Sequence, residues 1–542
     1  MGHWRFLLLL LLLLLLLLLL HAALAGITAS ACAQRPQPAR GLPWIPDPKI
    51  AQLGVNLSGP ADWNTEVPFV DAFRMARPWI SQKEGGSWGS GPALGLDENG
   101  WVRRLEPGCY AETLLCTITG GHYPSGRYTV LYDGEGELRF WGSGTVASSA
   151  PGRIEVDVDS SKGTLFLQLR RTNPDNYVRN IRVILPGFEA TYRQNPFHPA
   201  FLQRWRGAAV LRMMDWMATN NSKIVRWQDR PRPESATFSE KGVAAEVMVD
   251  LCNRLNADLW VCIPHKADDD YVRGLATLIR DRLKRQLRVY VEYSNEVWNG
   301  QFEQARWAAE QGRALKLGGD GLNDWDYQWH YTAYRSLQIF RVFEQVFGGP
   351  SRLVRVIAAQ AANDYVAKRI LAFQDAGRKC DALAIAPYFG LTPSPNGEPS
   401  VSTVLGWGLD GIFRYLQDEA IPKTAEWTRK HKQLADQYGI ALIAYEGGQH
   451  LVGIQGGENN DDLTRLLISA QTDPRMGVCY QRYLDGWKQN GGGVFCHFSS
   501  VAEPSKWGSW GLLQYMDDDP AQSPKFQAVL AWARSLGQTI GR

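Results

Sequence analysis

Beyond its first 33 residues the chain has no apolar run approaching the ~18 residues that a membrane-spanning helix needs, so the portion after the leader reads as soluble. It has no uninterrupted basic run outside the leader and a formal net charge of only +3. The electrostatic footprint of a nucleic-acid binder is therefore missing, and no nucleic-acid partner is expected. Cysteine is sparse: eight in 542 residues, without zinc-ligand spacing. No G-x-G-x-x-G fingerprint opens a helix, which removes the usual sign of a dinucleotide fold. A serine nucleophile on a G-x-S-x-G elbow is not expected either. Asp268, Asp269 and Asp270 follow one another at a helix start, where acids complement the dipole and cap it, so they are read as helix-starting residues and not as a metal site. Neither a metal nor a cofactor is expected.

The chain is rich in tryptophan. Its 21 indoles supply flat amphipathic surfaces of the kind that stack on sugar rings, although many of them will simply pack the core. With 45% hydrophobic and 21% charged residues the composition is that of a globular protein, and 53 Gly with 29 Pro points to many loops. Arg5, the leucine run Leu7 to Leu20 and the mostly small residues 22–33 have the layout of a secretory signal, residues 1–33. Ala31-Cys32-Ala33 fits cleavage before Gln34, which makes the mature protein secreted or periplasmic. Membrane association arises only if the leader is retained or Cys32 is lipidated. Of the seven remaining cysteines, Cys109 and Cys116 are the local candidate for a disulfide.

Residues 34–48, rich in Pro, Arg and Gln, read as a linker, and 49–94 as a first strand with its loop. From 95 to 190, short alternating segments separated by Gly, Asp, Ser and Pro predict an antiparallel β-sandwich. From 191 to 542, short apolar strands alternate with helical patterns, the rhythm of parallel βαβ units. Strands are expected at 52–57, 208–213, 258–263, 288–294, 353–359, 381–386, 440–445 and 492–498. The fold class is therefore α/β, a (β/α)8 TIM barrel with the sandwich inserted between strands one and two; an open doubly wound sheet is the alternative.

In such a barrel, function sits where strands end at the C-terminal rim. Strand four ends in Tyr293-Ser294-Asn295-Glu296-Val297-Trp298 and strand seven in Tyr445-Glu446-Gly447. Two facing carboxyl groups are the minimum for glycosidic cleavage, one holding a proton and the other ionised. Glu292 competes for the first role, but its earlier place on the strand puts it inside the barrel.

Asn295-Glu296 on strand four together with Glu446 on strand seven resembles the clan A glycoside hydrolases, the superfamily of family 5 cellulases and mannanases. The resemblance covers the barrel and leaves the sandwich unmatched. It implies Glu296 as acid/base and Glu446 as nucleophile of a retaining hydrolase, with the carboxyl groups ~5 Å apart. It further implies that Asn295 contacts the sugar 2-hydroxyl, that Arg212 orients the nucleophile through a bidentate guanidinium, that His265 binds substrate, and that Tyr388 bonds the nucleophile. Ala386-Pro387 precedes Tyr388 where family 5 members often show His-x-Tyr. For sugar stacking the candidates are Trp298, Phe498 and Trp507, with Trp510 nearby and His450 as a rim contact. The expected partner is an oligo- or polysaccharide, β-glucan or cellulose first, with mannan or xylan behind. A non-catalytic carbohydrate-binding protein on the same scaffold is the alternative from a different class.

Overall fold

Eight short segments pair in parallel and close on themselves: β1 (Leu53–Asn56), β2 (Val210–Arg212), β3 (Asp258–Ile263), β4 (Val289–Tyr293), β5 (Leu353–Ala358), β6 (Ala382–Ile385), β7 (Ala441–Ala444) and β8 (Phe495–His497). Closure comes from β1, which pairs with β2 through Val55 and Leu211 and with β8 through Gly54 and Cys496. These pairings belong to a computed structural model that describes residues 47–394 and 396–541. The signal peptide, Cys32 and nearly all of the expected linker lie outside the described residues. The fold is a (β/α)8 barrel, with all eight strands falling inside the segments expected from their apolar runs. Parallel strands covered on both faces need no polar alternation, and seven of the eight are buried throughout, β5 nearly so.

Alternate residues point inward and fill the interior. Val210, Trp260, Tyr290, Val354, Ala382, Ala441, Val494 and Cys496 belong to one buried cluster, in which the Trp260 and Tyr290 rings stack at 5.2 Å. Space is tight on β1 as well: a Cβ at Gly54 would lie 2.7 Å from the Cys496 sulfur and 2.8 Å from the Val210 carbonyl on the two flanking strands.

The helices follow the apolar periodicity with two differences. Pro474 splits the continuous helix expected over 461–489 into Asp461–Ser469 and Pro474–Gln489, because a proline is tolerated in a first turn and not inside. Val401–Tyr415 is helical although it holds three glycines, and its backbone breaks at Gly408. Gly406, Gly408 and Gly411 have the spacing of a dinucleotide fingerprint, yet they lie within that helix and not at a strand-to-helix turn. Likewise, Gly85-Gly86-Ser87-Trp88-Gly89 has the G-x-S-x-G spacing, but it forms an exposed turn after a short strand with no helix following.

Between β1 and β2 the chain builds two four-stranded antiparallel sheets. One runs in the order 80–83, 109–116, 165–172, 136–142, the other 179–184, 126–133, 153–158, 144–150. Leu115, Leu167 and Leu169 from the first and Tyr128, Val130, Val156 and Val183 from the second belong to the same buried cluster as the helices and the outward faces of the barrel strands. The first of these strands, Ile80–Lys83, already lies before Gly95. Cys109 and Cys116 are the two ends of one strand, roughly 23 Å apart at the rise of an extended chain. They cannot bridge, and both are free thiols, which corrects the disulfide expectation. Asp268 caps the helix Asp269–Arg282 by accepting from the Tyr271 N–H at 2.8 Å.

Candidate active site

The barrel mouth is organised around Arg212, the last residue of β2, whose side chain is wholly buried. Its Nε and one terminal nitrogen form a two-pronged contact with Glu292 at 3.0 and 3.1 Å. The other terminal nitrogen donates to Glu446 Oε1 at 2.8 Å and to Asn56 Oδ1 at 3.1 Å, and a further bond reaches Asn295 Oδ1 at 2.8 Å. The expected fork thus goes to Glu292, and Glu446 receives a single bond. The physical reason is depth: Glu292 points inward one layer below the rim, level with the guanidinium, where Trp260 Nε1 also donates to it at 2.8 Å. A guanidinium out of water needs such a full set of acceptors to offset its desolvation.

Glu446 directly follows Tyr445, which continues β7 inward. The two neighbouring side chains reach different parts of the mouth. Glu446 Oε2 accepts from the Tyr388 hydroxyl at 2.9 Å. The Tyr445 hydroxyl instead donates to Glu296 Oε1 at 3.0 Å, while Asn299 Nδ2 donates to Glu296 Oε2 at 2.9 Å. Glu296 is brought in by an unusual backbone: Ser294 and Glu296 have φ of 56° and 42°, the left-handed region that costs non-glycine residues of order 1–3 kcal/mol. Burial, followed by the charge of Glu446, pushes the Glu296 carboxyl up to about 7. Burial also raises Glu446, and there Arg212 and Tyr388 oppose the rise. The charge of Glu446 thus acts on Glu296, and the guanidinium contacts only Glu446 directly.

No known protein-family model matches this chain, and no curated protein matches it. Solved structures are similar at long range. A 4-O-α-L-rhamnosyl-β-D-glucuronidase from Fusarium oxysporum is 12% identical, with a TM-score of 0.35, over 58% of this chain and 56% of that one. An endo-1,4-β-D-mannanase from Thermotoga petrophila is 12% identical, with a TM-score of 0.31, over 62% and 94%. A family 26 endo-β-1,4-mannanase from Cellulomonas fimi is 13% identical, with a TM-score of 0.33, over 60% and 62%. Likeness this remote leaves the chemistry to be argued from the residues of this chain.

Of the residues singled out by sequence, Glu446, Asn295, Arg212 and Tyr388 share one hydrogen-bonded network, and Glu296 stands beside it, held by Tyr445 and Asn299. Asn295 is buried, with its amide oriented by Arg212 on one side and by Asn220 Oδ1, which it donates to at 3.1 Å, on the other. Trp298 is half-buried beside Tyr445. His265 does not join the network. It is 1% exposed, edge-on to Trp307 at 6.2 Å, and among the described residues neither ring nitrogen has a partner. Burial lowers its pKa to about 4 and keeps the ring neutral. In the turn after β3 the Ala267 N–H bonds the Pro264 carbonyl, and His265 faces Trp307 there.

Trp507 also lies away from the network. It is 65% exposed, and Lys506 sits over its ring. Trp510 takes the inner place, edge-on to Tyr388 at 5.7 Å, to His450 at 4.9 Å and to Phe498 at 5.8 Å. Gly508, at φ 140°, reverses the chain between the two indoles, and a Cβ there would lie 2.2 Å from the Trp510 ring. Gln449 and the buried Lys525 pin the loop by donating to the Ser509 carbonyl at 2.7 and 2.8 Å. Sequence reasoning passed over Asn56, Trp260, Tyr445, Asp215 and Asn299. Asn56 carried a usable signal, a lone amide closing an apolar strand. Tyr445 carried none, since a tyrosine beside a glutamate does not tell which carboxyl it will reach.

Proposed function

We propose that the chain is an exported retaining glycoside hydrolase that cleaves a β-linked polysaccharide, β-glucan or cellulose first and mannan or xylan behind, by double displacement. The observation that carries this reading is the contrast between two carboxyl groups at one barrel mouth. Glu446 has a guanidinium and a phenol to hold its negative charge. Glu296 has only a phenol and an amide, and holds its proton up to about 7. Pairs of acids driven apart in this way divide into proton donor and nucleophile.

In the first step Glu446 attacks the anomeric carbon while Glu296 gives its proton to the departing glycosidic oxygen, leaving a covalent glycosyl-enzyme. In the second, Glu296 takes a proton from water, the oxygen of which displaces Glu446 and restores both groups. Asn295, fixed by Arg212 and Asn220, presents its amide nitrogen for the sugar 2-hydroxyl, a contact that strengthens in the transition state. Trp298, Phe498 and Trp510 offer rings to the sugar faces. A leader with the layout of a secretory signal supports export, since polysaccharides lie outside the cell.

The test is a panel of polysaccharides read by reducing ends and product chromatography. Hydrolysis with retained anomeric configuration is expected from the native chain. Glu446→Ala and Glu296→Ala should each abolish it, with azide restoring turnover through inversion in the first and retention in the second. Undiminished turnover in either variant removes that residue from its role, and a carboxyl separation beyond ~7 Å removes retention.

A further inference from the structure

We propose that Asp215 is a specificity-determining carboxyl group of this site, reserving it for neutral sugars with adjacent free hydroxyls and shutting out uronic acids; the inference rests on the glycosidase reading. Asp215 lies three residues beyond Arg212, in a turn that its neighbours lock. Met213 and Trp216 are wholly buried, Met213 N–H bonds the Trp260 carbonyl at 2.9 Å, and Trp216 Nε1 bonds the Ser58 carbonyl at 3.1 Å. The Ala218 N–H closes the turn onto the Asp215 carbonyl at 3.0 Å. Gly59, in the loop after β1, approaches so closely that a Cβ there would lie 3.3 Å from the Asp215 Cβ. The side chain is thus held at the mouth between the ends of β1 and β2, half-buried.

Among the described residues none donates a hydrogen bond to its carboxyl oxygens. The charges that act on it are Glu446, of like sign, and Arg212. The guanidinium of Arg212 is already engaged by Glu292, Glu446, Asn56 and Asn295. Its oxygens are not among the buried polar atoms left without a partner, so water reaches them, and a pair of adjacent sugar hydroxyls matches the two oxygens and can take that water's place. A uronic acid would instead bring a further carboxylate to a mouth where Arg212 already faces Glu292, Glu446, Glu296 and Asp215. Burial and Glu446 together push Asp215 up to about 7, against the opposing pull of Arg212.

The test compares wild type, Asp215→Asn and Asp215→Ala on 4-nitrophenyl β-glucoside, β-mannoside, β-xyloside and β-glucuronide. Calorimetric titration of each protein with neutral and uronic oligosaccharides accompanies the kinetics, and thermal melting checks that the variants fold. Wild type should favour the neutral glycosides. Asp215→Ala should raise their KM by about ten-fold or more, the loss of a hydrogen bond to a charged group, with a smaller change in kcat. Assayed above pH 7, where Asp215 is ionised, Asp215→Asn should narrow the discrimination against the glucuronide by about ten-fold, in the direction that removal of one like charge gives. A wild type that prefers the glucuronide, or variants with unchanged KM and unchanged discrimination, would overturn the proposal. Should no glycoside be cleaved while neutral oligosaccharides bind in an Asp215-dependent way, the hydrolase reading fails and this one stands. Cleavage indifferent to Asp215 gives the reverse.

Discussion

Around Glu446 the mouth of the barrel is ionic, and around Glu296, one hydrogen bond beyond Tyr445, it is neutral. On the first side Arg212 binds a second buried acid, Glu292, in addition to Glu446. On the other a phenol and an amide complete the contacts of a carboxyl group whose own backbone is strained. Like residues at the ends of β4 and β7 therefore differ in chemistry because of what stands next to them. Burial acts on both in the same direction, and the placement of one guanidinium sets them apart.

The most forceful way to break that contrast is Arg212→Met. It strands Glu292 without its counter-charge and should cost about 3–5 kcal/mol of stability in urea unfolding, with activity lost as well. An undisturbed midpoint would mean that the buried network carries little energy. Next come the two phenols. Tyr388→Phe removes a donor that lowers the Glu446 pKa, and Tyr445→Phe removes one that lowers the Glu296 pKa. Each should lower kcat/KM by about ten-fold, and the pH profiles should move differently. The acid limb rises in the first variant, narrowing the bell; the alkaline limb rises in the second, widening it. Shifts of the same limb in both would dissolve the distinction between the two carboxyl groups.

A third prediction concerns linkage. The folded-state pKa of Glu296 lies near 7, above its ordinary 4.5, so the unfolded chain ionises first. The stability held below 4.5 is therefore lost as pH rises through about 7. Glu296→Gln should remove that loss and flatten the pH dependence of the melting temperature across this window, and a slope equal to wild type would count against the raised pKa. The smallest effect is expected at the rim. Trp507→Ala, at an exposed ring, should change stability by less than about 0.5 kcal/mol and leave kcat/KM near wild type, whereas Trp510→Ala should raise KM. Equal losses in the two variants would return Trp507 to the sugar platform.

What was legible in the chain was what repeats or what ends a strand. Eight apolar runs separated by helical patterns suffice for the barrel, because burial on both faces leaves a periodic mark. Glu296 and Glu446 stand where such runs stop. Arg212 was readable for the same reason, but not the division of its bonds, since Glu292 within β4 and Glu446 just past β7 are both acids in its reach and only their depth along the barrel axis decides which one takes the fork. His265 has the same strand-end signal as Arg212 and faces Trp307 instead. Between Trp507 and Trp510 the choice fell to a reversal at Gly508, and a glycine in a loop does not announce the direction in which it will turn.

Thus the residues themselves determined the closed parallel sheet, its order, and the two acids at its mouth, through the spacing of buried side chains along each strand. Tertiary structure alone decided that Tyr445 serves Glu296 while its neighbour serves Arg212, and that Asp215 comes within reach of the Glu446 charge with no hydrogen-bond donor among the described residues. Contacts of this kind join residues 149 or more positions apart, and distances across a closed barrel depend on strand stagger and side-chain depth, which no local pattern encodes.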